Sequence, residues 1–160
     1  MSHYITQSAE ETKKLAGDLA QIIELGKVIS LKGNLGSGKT TFSQGFAKAL
    51  GIKRAVKSPT YTIVKQYPLD EEGRFFNHID AYRLEEGGAD SIDLESFIDN
   101  DTITLIEWAE FVIDYMPDSY LEIELLSIEQ EERKIQVRTV GNDEYYEQLM
   151  KEWTQNWKGL

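Results

Sequence analysis

Apolar residues recur at helical spacing through Leu15, Leu19, Ile22 and Ile23, and Ser8 stands where a hydroxyl can cap such a helix. Glu10 and Glu11 fall in its first turn, where acidic groups suit the positive end of the helix dipole, and Gly26 marks its end. The pattern then changes. Val28 to Leu31 is an unbroken apolar run, as expected of a strand buried on both faces, and it leads straight into Gly33. Beyond a cluster of glycines, Phe42, Phe46, Ala49 and Leu50 form a second helical stripe, with Gly51 at the position of a C-terminal cap. The predicted order is strand, glycine-rich loop, helix.

Further along, Tyr61 to Tyr67 and Phe75 to Ile79 flank the turn-like stretch PLDEEG and predict a hairpin, and a helix is expected near Ile92 to Ile98. Ile103 to Ile106 reads as a second buried strand ending at Glu107. Leu121 to Ile128 and Lys134 to Val140, separated by EQEER, alternate apolar and polar residues as a half-solvated hairpin does. Tyr146, Leu149, Met150, Trp153 and Trp157 predict a final amphipathic helix. The aromatic residues Trp153 and Trp157 are read as packing on the domain's own core, with docking of a partner as the alternative. No repeat, linker or low-complexity segment interrupts the pattern, and 160 residues with 41% apolar content fit one domain spanning 1–160.

Composition narrows the function classes. There is no cysteine, which excludes disulfides and cysteine-based metal sites and suits a reducing compartment. The opening stretch MSHYITQSAEETKKLAGDLA is charged throughout, and no run approaches the ~18 apolar residues of a membrane span, so a soluble cytoplasmic protein is expected. With 28 acidic against 17 basic residues the net charge is -11, and no basic run is interleaved with aromatics. Such a surface repels nucleic acid, so direct binding of DNA or tRNA is not expected. The acidic clusters Asp70 to Glu72, Glu85 to Glu86 and Glu129 to Glu132 lack the spacing of a calcium loop and read as solvated turns.

The strongest chemical signal is GNLGSGKT, residues 33 to 40, which fits the P-loop pattern of Gly, four residues, then Gly, Lys and Ser or Thr. Its setting between an apolar strand and an amphipathic helix lets successive backbone N–H groups and a helix N-terminus converge on phosphates. Gly33, Gly36 and Gly38 allow the backbone to approach, with Ser37 between them. Lys39 suits the β- and γ-phosphates, Thr40 a Mg²⁺ ion and Thr41 the α-phosphate. A nucleotide site of this kind also needs an acid at the end of a neighbouring strand. Asp80, after FFNHI, and Glu107, after ITLI, are the candidates. Ser58-Pro59-Thr60 occupies the place of a nucleotide-sensing switch, although the same tripeptide is common turn chemistry. His78, Arg83 and Trp108 read most simply as a hydrogen-bonded histidine, a surface cation and a core residue. No Asn-Lys-x-Asp stretch is present to read guanine, which favours ATP over GTP. A small-molecule kinase, or a binding switch with negligible hydrolysis, shares these features and is kept as the alternative.

Several stretches together resemble the TsaE family, bacterial P-loop ATPases that act in forming threonylcarbamoyladenosine on tRNA. They are LKGNLGSGKTTFSQGFAKALG at 31 to 51, VKSPTYT at 56 to 62, HIDAYRL at 78 to 84 and IEWAE at 106 to 110, with the opening SAEETKKLAG. The resemblance implies a P-loop NTPase-like α/β fold, a three-layer sandwich with a mixed central sheet. It implies that Gly36 to Thr41 cradle ATP, that Thr40 and Glu107 hold Mg²⁺, that Asp80 belongs to the catalytic centre and that Ser58 to Thr60 form a switch. It also gives Tyr82, Arg83 and Trp108 roles at the site or at a partner surface, and brings the segment Thr6 to Thr12 and the hairpin near Arg133 toward the adenine. In such systems the transfer itself is done by TsaD bound to TsaB, and tRNA reaches this subunit only through those partners.

Overall fold

The computed structural model describes residues 2–53, 56, 64–82, 93–155 and 157. Seven strands form one mixed sheet: β1 (Ser2–Thr6), β2 (Val28–Lys32), β3 (Val64–Pro68), β4 (Phe75–Asp80), β5 (Thr102–Glu107), β6 (Tyr120–Ser127) and β7 (Arg133–Val140). Their order is β1-β7-β6-β2-β5-β4-β3. The middle strands β6, β2, β5 and β4 run parallel, whereas β3 and the β7–β1 pair are antiparallel to their neighbours. The helices are α1 (Ala9–Ile22), α2 (Lys39–Ala49), the single turn α3 (Leu94–Phe97) and α4 (Glu144–Gln155), with a 3-10 segment at Ala109–Tyr115.

Local chemistry explains the main elements. Ser8 caps α1 by accepting the Glu11 N–H at 3.1 Å. Leu50 ends α2, and Gly51 follows in the left-handed region at φ +91°. Alternation along the strands sorts side chains to the two faces of the sheet. Ile29, Leu31, Phe76, Ile103, Leu105, Leu121 and Ile123 face α1, α2 and α4, meeting Leu15, Phe42, Phe46 and Trp153 in the larger core. Val28, Ile79, Ile106 and Tyr120 point the other way, toward Leu94, Ala109 and Val112. Each fully buried Leu, Ile or Phe contributes about 1.5–3 kcal/mol, so this two-sided burial is the main attraction holding the layers together.

The expected sandwich is therefore present, with three findings beyond the sequence pattern. Residues 2–6 form an edge strand, which their polar sequence did not announce. The β6–β7 hairpin is not merely appended, because β6 lies parallel to β2 inside the sheet. The predicted final helix forms, and Trp153 and Trp157 are both buried, which answers the docking alternative in favour of the core. Trp153 donates its indole N–H to the Leu15 carbonyl at 2.9 Å, pinning α4 to α1. Residues 61–63 of the predicted hairpin and Ile92 of the predicted helix lie outside the described residues.

Candidate functional site

The site forms where the sheet order reverses. β2 ends between β5 and β6, so the chain leaving it enters a crevice above the carboxyl ends of parallel strands, the usual ligand position in such sheets. The loop that follows is shaped by glycines. Gly36 and Gly38 adopt φ +80° and +101°, values that side chains resist. A Cβ on Gly33 would collide with the Ser37 hydroxyl and with the Leu125 carbonyl oxygen of β6. The loop thus lies tight against the sheet and delivers the N-terminus of α2, beginning at Lys39, to the crevice.

The two candidate acids end adjacent strands. Parallel register pairs Asp80 with Glu107 and Glu107 with Leu31, one residue before the end of β2. Both carboxylates are buried. Lys39 Nζ lies 3.7 Å from Glu107 Oε1 and 4.2 Å above the centre of the Trp108 ring. An unpaired ammonium at this depth would be costly, and the acid and the aromatic face together compensate it. On the other side of the carboxylate, His78 Nε2 is 2.6 Å from Glu107 Oε2. Asp80 Oδ1 accepts the Tyr82 N–H at 3.0 Å. Burial pushes the Asp80 carboxyl above its ordinary value, that backbone N–H opposes the shift, Glu107 adds to it, and Lys39 and His78 pull it down.

Around these groups opens a cavity of about 600 Å³, lined by Gly36, Gly38, Lys39, Thr40, Thr41, Asp80 and Glu107, with Leu35, Tyr82, Trp108 and Arg133 at its walls. Trp108 takes the left-handed conformation, φ 60° and ψ 42°, an outlier for so bulky a residue. It turns the chain sharply after Glu107, and its ring lies flat against Phe111 at 5.8 Å and beside Tyr82 at 5.1 Å. Arg133 approaches from the β6–β7 hairpin and donates to the Gly36 carbonyl at 3.4 Å, bracing the loop from outside. A smaller cavity of about 110 Å³ adjoins across Gly38 and Thr41, lined by Ala9, Thr12, Glu131 and Arg133.

Comparison with known proteins gives a consistent result. The family model described as "Threonylcarbamoyl adenosine biosynthesis protein TsaE" matches residues 6–135. This chain belongs to the TsaE family. The TsaE protein of Bacillus subtilis is 39% identical over 148 residues, which span 92% of this chain and 90% of that one. The TsaE protein of Aquifex aeolicus is 40% identical over 139 residues, 86% of this chain and 96% of that one. The crystal structure of Bacillus subtilis YdiB is similar with a TM-score of 0.80 and 32% identity, covering 97% of this chain and 95% of that one. The mixed seven-strand sheet with flanking helices is accordingly a P-loop NTPase-like fold.

In this TsaE family chain the structure brings Gly36, Gly38, Lys39, Thr40, Thr41, Asp80 and Glu107 into one cavity. Gly33 and Ser37 support the loop from below, and Ser37 is buried with its hydroxyl unpartnered among the described residues. Thr60, with Ser58 and Arg83, lies outside the described residues. His78 is the hydrogen-bonded histidine expected, and strand alternation, which places it on the face of Phe76 and Asp80 toward α2, makes Glu107 its partner. Ser43, buried one turn after Lys39, lies 3.5 Å from the His78 ring and carried no signal in its own neighbourhood. Among the described residues no helix is long and apolar enough to cross a membrane.

Proposed function

We propose that this chain binds Mg-ATP in the cavity beside Gly36 to Thr41 and hydrolyses it to support threonylcarbamoyladenosine formation on tRNA, the transfer itself being done by TsaD bound to TsaB. The observation that carries this reading is the convergence of Lys39, Asp80 and Glu107 on the glycine loop within one cavity. The backbone N–H groups of the loop and the start of α2 receive the phosphates. Lys39 leaves Glu107 for the β- and γ-phosphates, an exchange of one anion for another that keeps its buried charge compensated.

The donor set fits magnesium. Two carboxylates and a hydroxyl are too few for an all-protein cage, and Mg²⁺ characteristically completes its shell with phosphate oxygens and water. Thr40 and Glu107 would hold the ion, with Asp80 beside them, and the bound ion would offset charge developing between the β- and γ-phosphates. Asp80, with its carboxyl raised by burial, is suited to orient water and accept its proton as the γ-phosphoryl bond to ADP breaks. Tyr82 and Trp108 wall the cavity against bulk solvent. The smaller cavity at Thr12 and Arg133 adjoins the phosphate end and is the natural place for the adenine side of the ligand. The net charge of -11 leaves tRNA to the partners.

Calorimetric titration with Mg-ATP, followed by phosphate release, tests the proposal. Lys39→Ala is expected to lose a charge-assisted contact of about 1.5–3 kcal/mol and hence most binding at micromolar ligand. Glu107→Gln is expected to keep ATP bound and lose most hydrolysis, with the parent preferring ATP to GTP. Unchanged affinity in Lys39→Ala, together with parental hydrolysis in Glu107→Gln, contradicts the proposal.

A further inference from the structure

One buried group at the site has no part in the chemistry above. His78 has no solvent exposure, and its Nε2 faces two oxygens, Glu107 Oε2 at 2.6 Å and Ser43 Oγ at 3.5 Å. The Ser43 hydroxyl donates its own hydrogen to the Lys39 carbonyl at 2.8 Å, so toward the ring it can only accept. Nε2 therefore carries a hydrogen, assigned from its partners, and gives it chiefly to the carboxylate. The other ring nitrogen, Nδ1, is buried without a partner among the described residues. The ring plane is fixed by Phe76, with centroids 6.1 Å apart and planes 17° apart. On the sheet, His78 pairs with Leu105, and Glu107 lies two residues further along the same face.

We infer that His78 is the positioning residue for Glu107: its Nε2–H holds Oε2, so that Oε1 faces Lys39 and the cavity. The inference rests on the proposed role of Glu107 as a metal-holding carboxylate. Glu107 touches two donors on opposite sides, and the division of its oxygens between them is the point. Without the histidine donor, Oε2 is a buried carboxylate oxygen in need of a partner, and among the described residues the cation paired with Glu107 is Lys39. The carboxylate then turns both oxygens to the ammonium, and the loop lysine and the metal ligand occupy each other instead of the nucleotide. Partners that orient a metal ligand in this way commonly matter about 10–100-fold in metal affinity or activity.

Two amides separate positioning from bulk polarity. In His78→Gln the amide nitrogen reaches the place of Nε2, whereas in His78→Asn it stops near that of Nδ1. With ATP saturating, His78→Asn is expected to raise the Mg²⁺ concentration at half-maximal phosphate release by ~10–100-fold. His78→Gln is expected to recover most of that loss, and metal-free ATP affinity, which depends on a free Lys39, is expected to fall in His78→Asn and to recover in His78→Gln. Equal effects of the two amides overturn the inference. A second readout needs no nucleotide: nitrogen-15 imidazole spectra of the ligand-free parent should show the hydrogen on Nε2 of His78, shifted far downfield, and Glu107→Gln should move it upfield. A hydrogen on Nδ1, or a resonance indifferent to Glu107→Gln, also overturns it, even if His78→Asn fails to fold. Parental Mg²⁺ dependence in Glu107→Gln would instead count against the proposed function, while the spectra still decide the hydrogen bond.

Discussion

At the scale of single residues, the site places charge where the fold alone would not. Asp80 is buried with its carboxyl pushed upward, so the folded chain binds that proton more tightly than the unfolded chain. As pH rises from the unfolded carboxyl value through the raised native one, the native state loses this advantage and stability falls. Below that window Asp80 is neutral in both states, and above it the ionised group opposes folding. Asp80→Asn can still accept the Tyr82 N–H through its amide oxygen. In the absence of nucleotide it is expected to raise Tm at pH 7, where each ~1 kcal/mol is worth about 2–4 °C at this chain length. The gain should shrink in acid below the ordinary carboxylate range. Thermal unfolding at the two pH values checks this, and a lower Tm at pH 7 would show that the ionised Asp80 is a stabilising group.

At the scale of elements, α1 and α2 pack unusually closely at Gly45. A Cβ there would stand 2.5 Å from the Lys13 carbonyl oxygen and 2.6 Å from its Cα. Helix propensity alone favours Gly45→Ala by ~1 kcal/mol. Overpacking against backbone costs ~1–3 kcal/mol and requires a shift of one helix, so the variant is expected to be less stable by up to about 2 kcal/mol. Denaturant unfolding measures the sign, and a stabilised variant contradicts the packing described. The same elements show what the sequence could carry. The run Val28 to Leu31, the glycines and the stripe of α2 are local signals, so the strand, loop and helix were legible, as was the strand ending at Glu107. β1 was not, because SHYIT is half-exposed and gains its order from β7, far away in sequence. The insertion of β6 beside β2 is likewise a non-local choice, and the grip of His78 on Glu107 exists only once β4 and β5 are in register.

At the scale of the whole molecule, a chain of net charge -11 surrounds a crevice lined by Lys39, Asp80 and Glu107, and under the proposed function that crevice takes a small phosphorylated ligand while tRNA is left to the partners. The exposed residues Leu35 and Tyr82 lie on the wall of that crevice. The described arginine at the wall, Arg133, is engaged with the Gly36, Gln130 and Glu132 carbonyls. A group added from outside can contribute ~10³ to 10⁵ in phosphoryl-transfer rate when it completes the donors around the developing charge. The isolated chain is accordingly expected to hydrolyse ATP slowly and its complex with partners much faster. Steady-state phosphate release measures this most directly, with the chain alone, with tRNA alone, and with TsaB and TsaD. The account predicts slow turnover alone, no stimulation by tRNA, and acceleration of at least tenfold with the two proteins. Full activity in isolation, or stimulation by tRNA without them, would contradict it.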